Sequence, residues 1–361
     1  MTIKNRGALT NPEGRFENQS RETFDDGWYL EEEEELPTLE TLLLPENAKS
    51  IITTNDSPDI GFDQSINPYR GCEHGCIYCY ARPSHAYMNL SPGLDFETKI
   101  FYKVDAAKLL EAEINKPKYQ CRTIVLGANT DPYQPAELKL NVTRSLLEVC
   151  NRYHHPVAII TKSSMIERDL DLITAMATRN LIKVAVSVTT LSNKLKLIME
   201  PRTSGPRARL RAIKLLSEAG VPVRVMASPM IPVINDMELE TILRLGKEAG
   251  AEHASYILVR LPYEVKDLFK EWLATHFPDR ADHVMNLIRA MRGGKEYDAQ
   301  FGKRMRGQGQ FADLLEARFK LACKRLLLNA TAAPVLDTSR FQKIVKNKNV
   351  SEQQLDLFGN L

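Results

Sequence analysis

Between Ser65 and Thr275 the chain alternates short apolar runs with amphipathic stretches, and no other feature limits its folding options as much. The runs Ser65–Tyr69, Thr123–Leu126, Val157–Thr161, Val184–Val188, Val221–Ala227 and Ser255–Val259 are mostly rich in Val and Ile. They are too short for helices and are predicted as strands. The intervening segments Ala106–Ile114, Val142–Arg152, Arg168–Ala177, Pro206–Ala219, Asp236–Ala249 and Val265–Thr275 carry helical periodicity. Asp236 is placed to cap a helix N-terminus, with Gly220 and Gly250 just past helix C-termini. Repeated strand–helix units pair their strands in parallel through right-handed crossovers. The fold class is therefore α/β, and periodicity alone leaves a barrel and a doubly wound sheet both open.

Composition adds outer bounds. With 361 residues, 43% of them hydrophobic, the chain can bury a large core, enough for about two domains or one barrel with extensions. No apolar run reaches the roughly 18–20 residues that span a bilayer, and the first thirty residues are polar, so a cytoplasmic location without membrane contact is expected. Lys+Arg 48 against Asp+Glu 46 leaves a net charge of +2, which neither requires nor excludes nucleic acid. Residues 1–60 carry turn chemistry and the acidic run Glu31–Glu35, and read as a partly disordered N-terminal extension with a short apolar segment, Leu39–Leu44, able to dock. Residues 61–276 form the core, and 277–361 a helical C-terminal extension whose last thirty residues look loosely structured. No repeat of roughly 20–50 residues is evident.

The first predicted strand leads directly into Gly71-Cys72-Glu73-His74-Gly75-Cys76-Ile77-Tyr78-Cys79-Tyr80. Three of the six cysteines thus fall within eight positions, spaced C-x3-C-x2-C. Thiolates select zinc, copper(I) or iron–sulfur clusters. Three on one loop can ligate three irons of a 4Fe–4S cubane, which usually takes four, leaving one iron open to a small molecule. A structural zinc ion normally has four protein ligands. Cys121, Cys150 and Cys323 are scattered, so zinc would have to recruit His74 or His85. The segment is read as an iron–sulfur loop, and the alternative is a non-catalytic, zinc-stabilised nucleic-acid-binding protein.

Polar residues recur where the later strands end. The second leads into Gly127-Ala128-Asn129-Thr130-Asp131-Pro132-Tyr133, the third ends in Thr161-Lys162-Ser163-Ser164, the fourth in Ser187-Val188-Thr189-Thr190, and the fifth leads into Ser228 to Asp236. In α/β barrels such ends converge on one mouth, where catalytic residues collect. The cysteine spacing is the signature of the radical SAM superfamily. Together with the Thr130-Asp131 turn, Thr161-Lys162, Val186-Ser187 and Glu200-Pro201-Arg202-Thr203, it resembles the spore photoproduct lyase-like (DNA repair photolyase-like) branch over about residues 65–260, in an uncharacterised subgroup.

The resemblance implies a partial (β/α)6 TIM-like barrel in which Cys72, Cys76 and Cys79 hold a 4Fe–4S cluster. It implies S-adenosylmethionine (SAM) contacted by Lys162, Ser187, Thr130 and Asn129, with Tyr78 near the adenine. The implied reaction is reductive cleavage of SAM to a 5′-deoxyadenosyl radical, fed by a reducing partner such as flavodoxin or ferredoxin. Nucleic acid stays open as the substrate. One departure stands out: Ala128 occupies the position where the lyases keep a hydrogen-donating Cys, so the lyase reaction itself is not carried over.

Several residues keep two readings. Glu200, Arg202 and Arg211 form either a charge network around the pocket or surface pairs. Asp131 and Glu137 are carboxylates with no assigned proton role, and His74 and His85 are placed behind the site or at the surface. Cys121 and Cys150 are read as buried core thiols. The basic stretch Arg292 to Arg325, with interleaved Tyr297, Phe301 and Phe311, suits phosphates and bases. Glu296, Asp298, Asp313 and Glu316 dilute it toward an ordinary solvated helical face.

Overall fold

Short β-branched segments set the architecture. The structure, a computed structural model, describes residues 5–16 and 39–344, so the acidic run Glu31–Glu35 lies outside the described residues. In chain order the strands are β1 (Leu42–Glu46), β2 (Ile52–Thr54), β3 (Gln64–Ile66), β4 (Tyr69–Arg70) and β5 (Lys99–Lys103). They continue with β6 (Ile124–Leu126), β7 (Val157–Thr161), β8 (Ile182–Ser187), β9 (Val223–Met230) and β10 (His253–Leu258).

The main sheet has the order β10-β9-β8-β7-β6-β3-β2, parallel throughout except for β2, which runs antiparallel along β3. Each parallel strand lies beside its predecessor and the progression never reverses. A doubly wound sheet reverses at a switch point, so this is a barrel fragment. Its two outer strands, β2 and β10, do not pair, and the barrel stays open. This is the partial (β/α)6 arrangement expected.

The helices Ala106–Ile114 and Val142–Arg152 match the periodicity reading residue for residue. Gly220 and Gly250 follow their helices with φ of +76° and +101°, as C-terminal stops require. Asp236 does not cap. It lies in a 3-10 turn, Asp236–Glu238, ahead of the helix Leu239–Glu248, and its Oδ1 accepts from Val233 N at 2.6 Å, turning back instead of forward.

The first strand is shorter than expected because Pro68 has no N–H to offer a ladder. Tyr69–Arg70 beyond it joins a second sheet, β1-β5-β4. There Leu42–Glu46 pairs in parallel with Lys99–Lys103, which gives the Leu39–Leu44 segment its dock.

Two described segments near the ends, 5–16 and 334–343, pack more closely than their composition suggested. Residues 5–16 lie against the cysteine loop. Residues 334–343, without regular structure, strap the N-terminal floor of the barrel. Lys183 donates to Pro334 O at 3.0 Å, Asp337 N to Asn180 O at 3.0 Å, and Gln342 N to Tyr153 O at 3.1 Å. Phe341 meets the rings of Tyr119 and His155 edge-on at 5.7 and 5.3 Å. The helices Ala281–Ala290 and Gln310–Leu326 flank a break in which buried Arg292 donates to Lys303 O and Val259 O. No helix among the described residues is long and apolar enough to cross a membrane.

Candidate active site at the barrel mouth

The cysteine loop is shaped by a buried ion pair that the spacing does not announce. Arg82, three residues past Cys79 and fully buried, donates to Cys76 O at 2.9 Å, to Pro92 O and Gly93 O, and to Glu97 Oε1 at 2.5 Å. Glu97, also fully buried, accepts in addition from Gly7 N at 3.0 Å and Ala8 N at 2.8 Å. One carboxylate therefore ties the N-terminal strap to the loop. Gly75 turns the loop with φ +66°, and a Cβ on Gly7 would lie 1.7 Å from Gly75 O, so strap and loop touch backbone to backbone. From the second-strand turn, Gln134 accepts from Glu73 N at 2.9 Å and donates to Gly71 O at 3.2 Å.

Asp131 is a knot between strand ends. Its Oδ1 accepts from Tyr133 N at 2.9 Å and Thr161 Oγ1 at 2.7 Å, and its Oδ2 from Lys162 N at 2.7 Å, with His74 Nδ1 at 3.5 Å. Glu137 is used in the same way, accepting from Tyr69 OH, from Thr143 N and from Arg168. Both carboxylates are committed to structure.

Glu200 is fully buried and accepts from Tyr78 OH, from Thr189 Oγ1 at 3.1 Å, and from Arg209. Arg209 also reaches Ser187 O at 3.0 Å and Thr203 Oγ1 at 2.6 Å, joining the end of β8 to the Glu200–Ser204 turn. The network expected around Glu200 therefore exists, but its cation is Arg209. Arg211 faces outward to Glu167, because two residues on a helix differ by about 200°. Arg202 pairs instead with Glu73 at 3.0 Å.

The ammonium of Lys162 sits where these elements meet. Burial pulls its pKa down, but the charges of Glu200 and Asp131, with those of Cys76 and Cys79 once they are thiolates, outweigh burial and raise it. Burial pushes the Cys76 thiol up to about 12, and burial with Asp131, Cys76 and Cys79 nearby pushes Cys72 well above its ordinary value. Unligated, these thiols hold their protons, and a metal must expel them. Burial lowers His74 and His85 to about 4, and both are interior.

The expected SAM contacts are distributed unevenly. Tyr78 is buried, with its hydroxyl on Glu200. Thr130 is 1% exposed and donates to Tyr69 O at 2.9 Å, and Ser187 is buried at the end of β8. Asn129 is exposed on the second-strand turn, its N–H on Asn67 Oδ1 at 3.2 Å. A pocket of about 300 Å³ adjoins this region, lined by His74, Tyr133, Ser163, Met165, Arg202 and Thr203, yet neither the cysteines nor Lys162 line it. Arg82, Glu97, Gln134 and Arg209 were missed by the sequence reading. The partners of Glu97 and Gln134 come from distant segments, and Arg209 reaches Glu200 nine residues back only because of the helix face on which it lies.

Residues 66–246 match the family model of the radical SAM superfamily. The chain belongs to that superfamily. It is therefore an enzyme of a family that uses a 4Fe–4S cluster and SAM, and the non-catalytic zinc reading falls. An uncharacterized protein of Mycobacterium tuberculosis is 34% identical over 230 residues, covering 63% of this chain and 68% of the relative. One of Methanocaldococcus jannaschii is 26% identical over 221 residues, 61% and 79% of the two chains. Among solved structures, spore photoproduct lyase complexed with dinucleoside spore photoproduct aligns at a TM-score of 0.55 with 16% identity, covering 79% of each chain. A mutant of that lyase with bound AdoMet and the same dinucleoside aligns at 0.54. These likenesses establish the shared fold.

The donor set fits a radical SAM cluster. Three free thiols share one loop, two buried and one half-buried, and are close enough for Cys76 and Cys79 to raise Cys72. Among the described residues no three His, Cys, Asp or Glu side chains converge as a single ion would require. A cubane spreads its thiolates over separate irons and does not need that convergence.

The Ala128 carbonyl accepts from Tyr80 OH. Cys121 precedes β6 at the barrel floor, near Cys150, and is half-buried instead of fully buried. Beside the mouth, arginines stack on outward-facing aromatics: Arg260 lies 4.2 Å from the Tyr80 ring, and Arg15 lies 3.7, 5.4 and 5.7 Å from the rings of Tyr263, Phe16 and Tyr87. These four rings are 43%, 58%, 49% and 70% exposed, in the order Tyr80, Tyr263, Phe16, Tyr87. Arg15 also pairs with Glu264 at 2.8 Å, and the basic C-terminal stretch is largely neutralised too, with Arg289 on Glu296, Arg304 on Asp59, Arg306 and Lys320 on Glu316, and Arg318 on Glu240.

Proposed function

We propose that this radical SAM enzyme cleaves SAM reductively at the barrel mouth and directs the resulting radical at a nucleic-acid substrate. The observation that carries the reading is the set of three free thiols, Cys72, Cys76 and Cys79, gathered on one loop of the barrel, with Lys162 directly after the end of β7. Cys72, Cys76 and Cys79 would hold the cluster. A reduced cluster supplies the electron that splits SAM into methionine and a 5′-deoxyadenosyl radical, which abstracts hydrogen. Lys162, as a compact point charge, suits the methionine carboxylate. Ser187, Thr130 and Asn129 border the remaining space, and Tyr78 is proposed for the adenine side. The Arg82–Glu97 pair and the N-terminal strap shut water away from the loop. A flavodoxin- or ferredoxin-like protein is the proposed reductant. Residues 61–276 are proposed as the catalytic core, with 1–60 and 277–361 as extensions.

The substrate class rests on the exposed aromatics with stacked arginines. Bases stack on such rings while guanidinium groups meet phosphates, without reading sequence. The test uses anaerobically reconstituted protein, SAM, a strong reductant and single-stranded oligonucleotides. Oligonucleotide should accelerate 5′-deoxyadenosine formation and exchange deuterium with it. Formation of 5′-deoxyadenosine that no oligonucleotide alters, with no deuterium transfer, would overturn the nucleic-acid assignment while leaving SAM cleavage intact.

A further inference from the structure

On the flank of the barrel, away from the cysteine loop, a second pocket of about 270 Å³ lies between β10 and the helix Gln310–Leu326. Three cations line it: Arg224 on β9, Arg306 and Lys320. Arg306 and Lys320 share a single carboxylate, Glu316, at 3.2 and 2.7 Å. Arg224 is partly buried, and among the described residues no carboxylate lies within ion-pair distance of it. Burial lowers its pKa. Lys183 on the neighbouring strand adds positive charge close by. The wall is aromatic, with Tyr256 and Phe319 rings 4.8 Å apart. The Tyr256 hydroxyl is shut off from solvent and bonds no protein atom.

Buried hydroxyls and guanidinium groups nearly always have partners, and one left without is costly. Here one such hydroxyl, that of Tyr256, stands at a pocket with three cations against one carboxylate. Such a pocket is charged for a dianion, sized for a small molecule, and walled for a ring or sugar beside the anionic group. We propose that it binds a small phosphate-bearing ligand, gripped by Arg224, Arg306 and Lys320 with the Tyr256 hydroxyl as a further donor. A ligand there would clamp the helix Gln310–Leu326 to the edge strand of the barrel, and would raise stability by preferring the folded chain.

The test is calorimetric titration of the full chain at constant ionic strength with inorganic phosphate, with ribose 5-phosphate, and with a single-stranded oligonucleotide. Phosphate and the monoester should bind one per chain. Arg224→Gln should weaken them by about tenfold or more, Tyr256→Phe by about threefold or more, and the exposed Lys324→Gln not at all. Because the Tyr256 hydroxyl has no partner in the unliganded chain, Tyr256→Phe should not lower the unliganded Tm. A lowered Tm would assign the hydroxyl a structural role and contradict the proposal. No binding of phosphate or the monoester beyond a chloride control, binding indifferent to Arg224→Gln, or binding of the oligonucleotide alone would each overturn it.

Discussion

The two ends of this barrel hold the same kinds of residue and do different things with them. At the mouth, Cys72, Cys76 and Cys79 lie together with the charged Lys162 and the buried Glu200–Arg209 pair. At the floor, Cys121 and Cys150 sit near Tyr119, His155 and the Phe341 ring, and among the described residues no cation shifts either thiol. A histidine is buried at each end, and burial lowers both to about 4. The mouth histidine faces a carboxylate, whereas His155 bonds Tyr119 OH at 2.7 Å and lies against its own chain. Thiols and imidazoles thus become a site only where the fold adds charge and mutual proximity. At the floor the same groups are packing.

That contrast can be broken most directly at the cysteines. Replacing Cys72, Cys76 or Cys79 by Ala should abolish cluster loading and 5′-deoxyadenosine formation, while Cys121→Ala and Cys150→Ala should leave the iron content unchanged. Iron analysis after anaerobic reconstitution decides it, and iron loss from either floor variant would erase the distinction. Arg82→Ala comes next. It strands a fully buried carboxylate and should cost about 3–5 kcal/mol in denaturant unfolding. The outward Arg211–Glu167 pair, 61% and 21% exposed, should be worth at most about 1 kcal/mol by the same measurement.

Lys162→Met isolates the mouth's charge. With iron content preserved, SAM should bind about 10- to 100-fold more weakly, measured by equilibrium dialysis on the loaded protein. Unchanged affinity would remove Lys162 from the site. A further contrast concerns pH. His85 and His155 have folded values near 4, below the ordinary 6.5, so between these limits the folded chain binds fewer protons than the unfolded one. Their contribution is complete above about pH 6.5 and is lost as pH falls toward 4, at up to about 1.4 kcal/mol per pH unit for each. A Tm series from pH 7 to 4.5 should show the decline, and His155→Gln should flatten part of it.

Much of the scaffold was legible in the residues because it is local. The β7 segment and two helices obey their periods to the residue, and strand order follows from short connections. The cysteine spacing was legible because a cluster loop must be contiguous. What escaped is long-range. Arg82 gives no hint of Glu97, nor Glu97 of Gly7 and Ala8, since these partners meet only once both sheets have formed. Arg209 was overlooked in favour of Arg211 because charge alone does not say which helix face turns inward. The tail 334–343 has loop composition, yet it is held by backbone hydrogen bonds and one ring, which no propensity reports. The dilution of the C-terminal basic stretch was legible in Glu296 and Glu316, whereas its further neutralising carboxylates, Asp59 and Glu240, lie far away in sequence.

The central claim is that the three mouth thiols hold a cluster that cleaves SAM, with Lys162 binding the SAM carboxylate. Its most direct test is quantitation of 5′-deoxyadenosine from the full chain, reconstituted anaerobically to a complete 4Fe–4S content and given SAM and a strong reductant, in parallel with Cys76→Ala. The account predicts product from the former and none from the latter. A fully loaded native chain that binds SAM and yields no 5′-deoxyadenosine would contradict it.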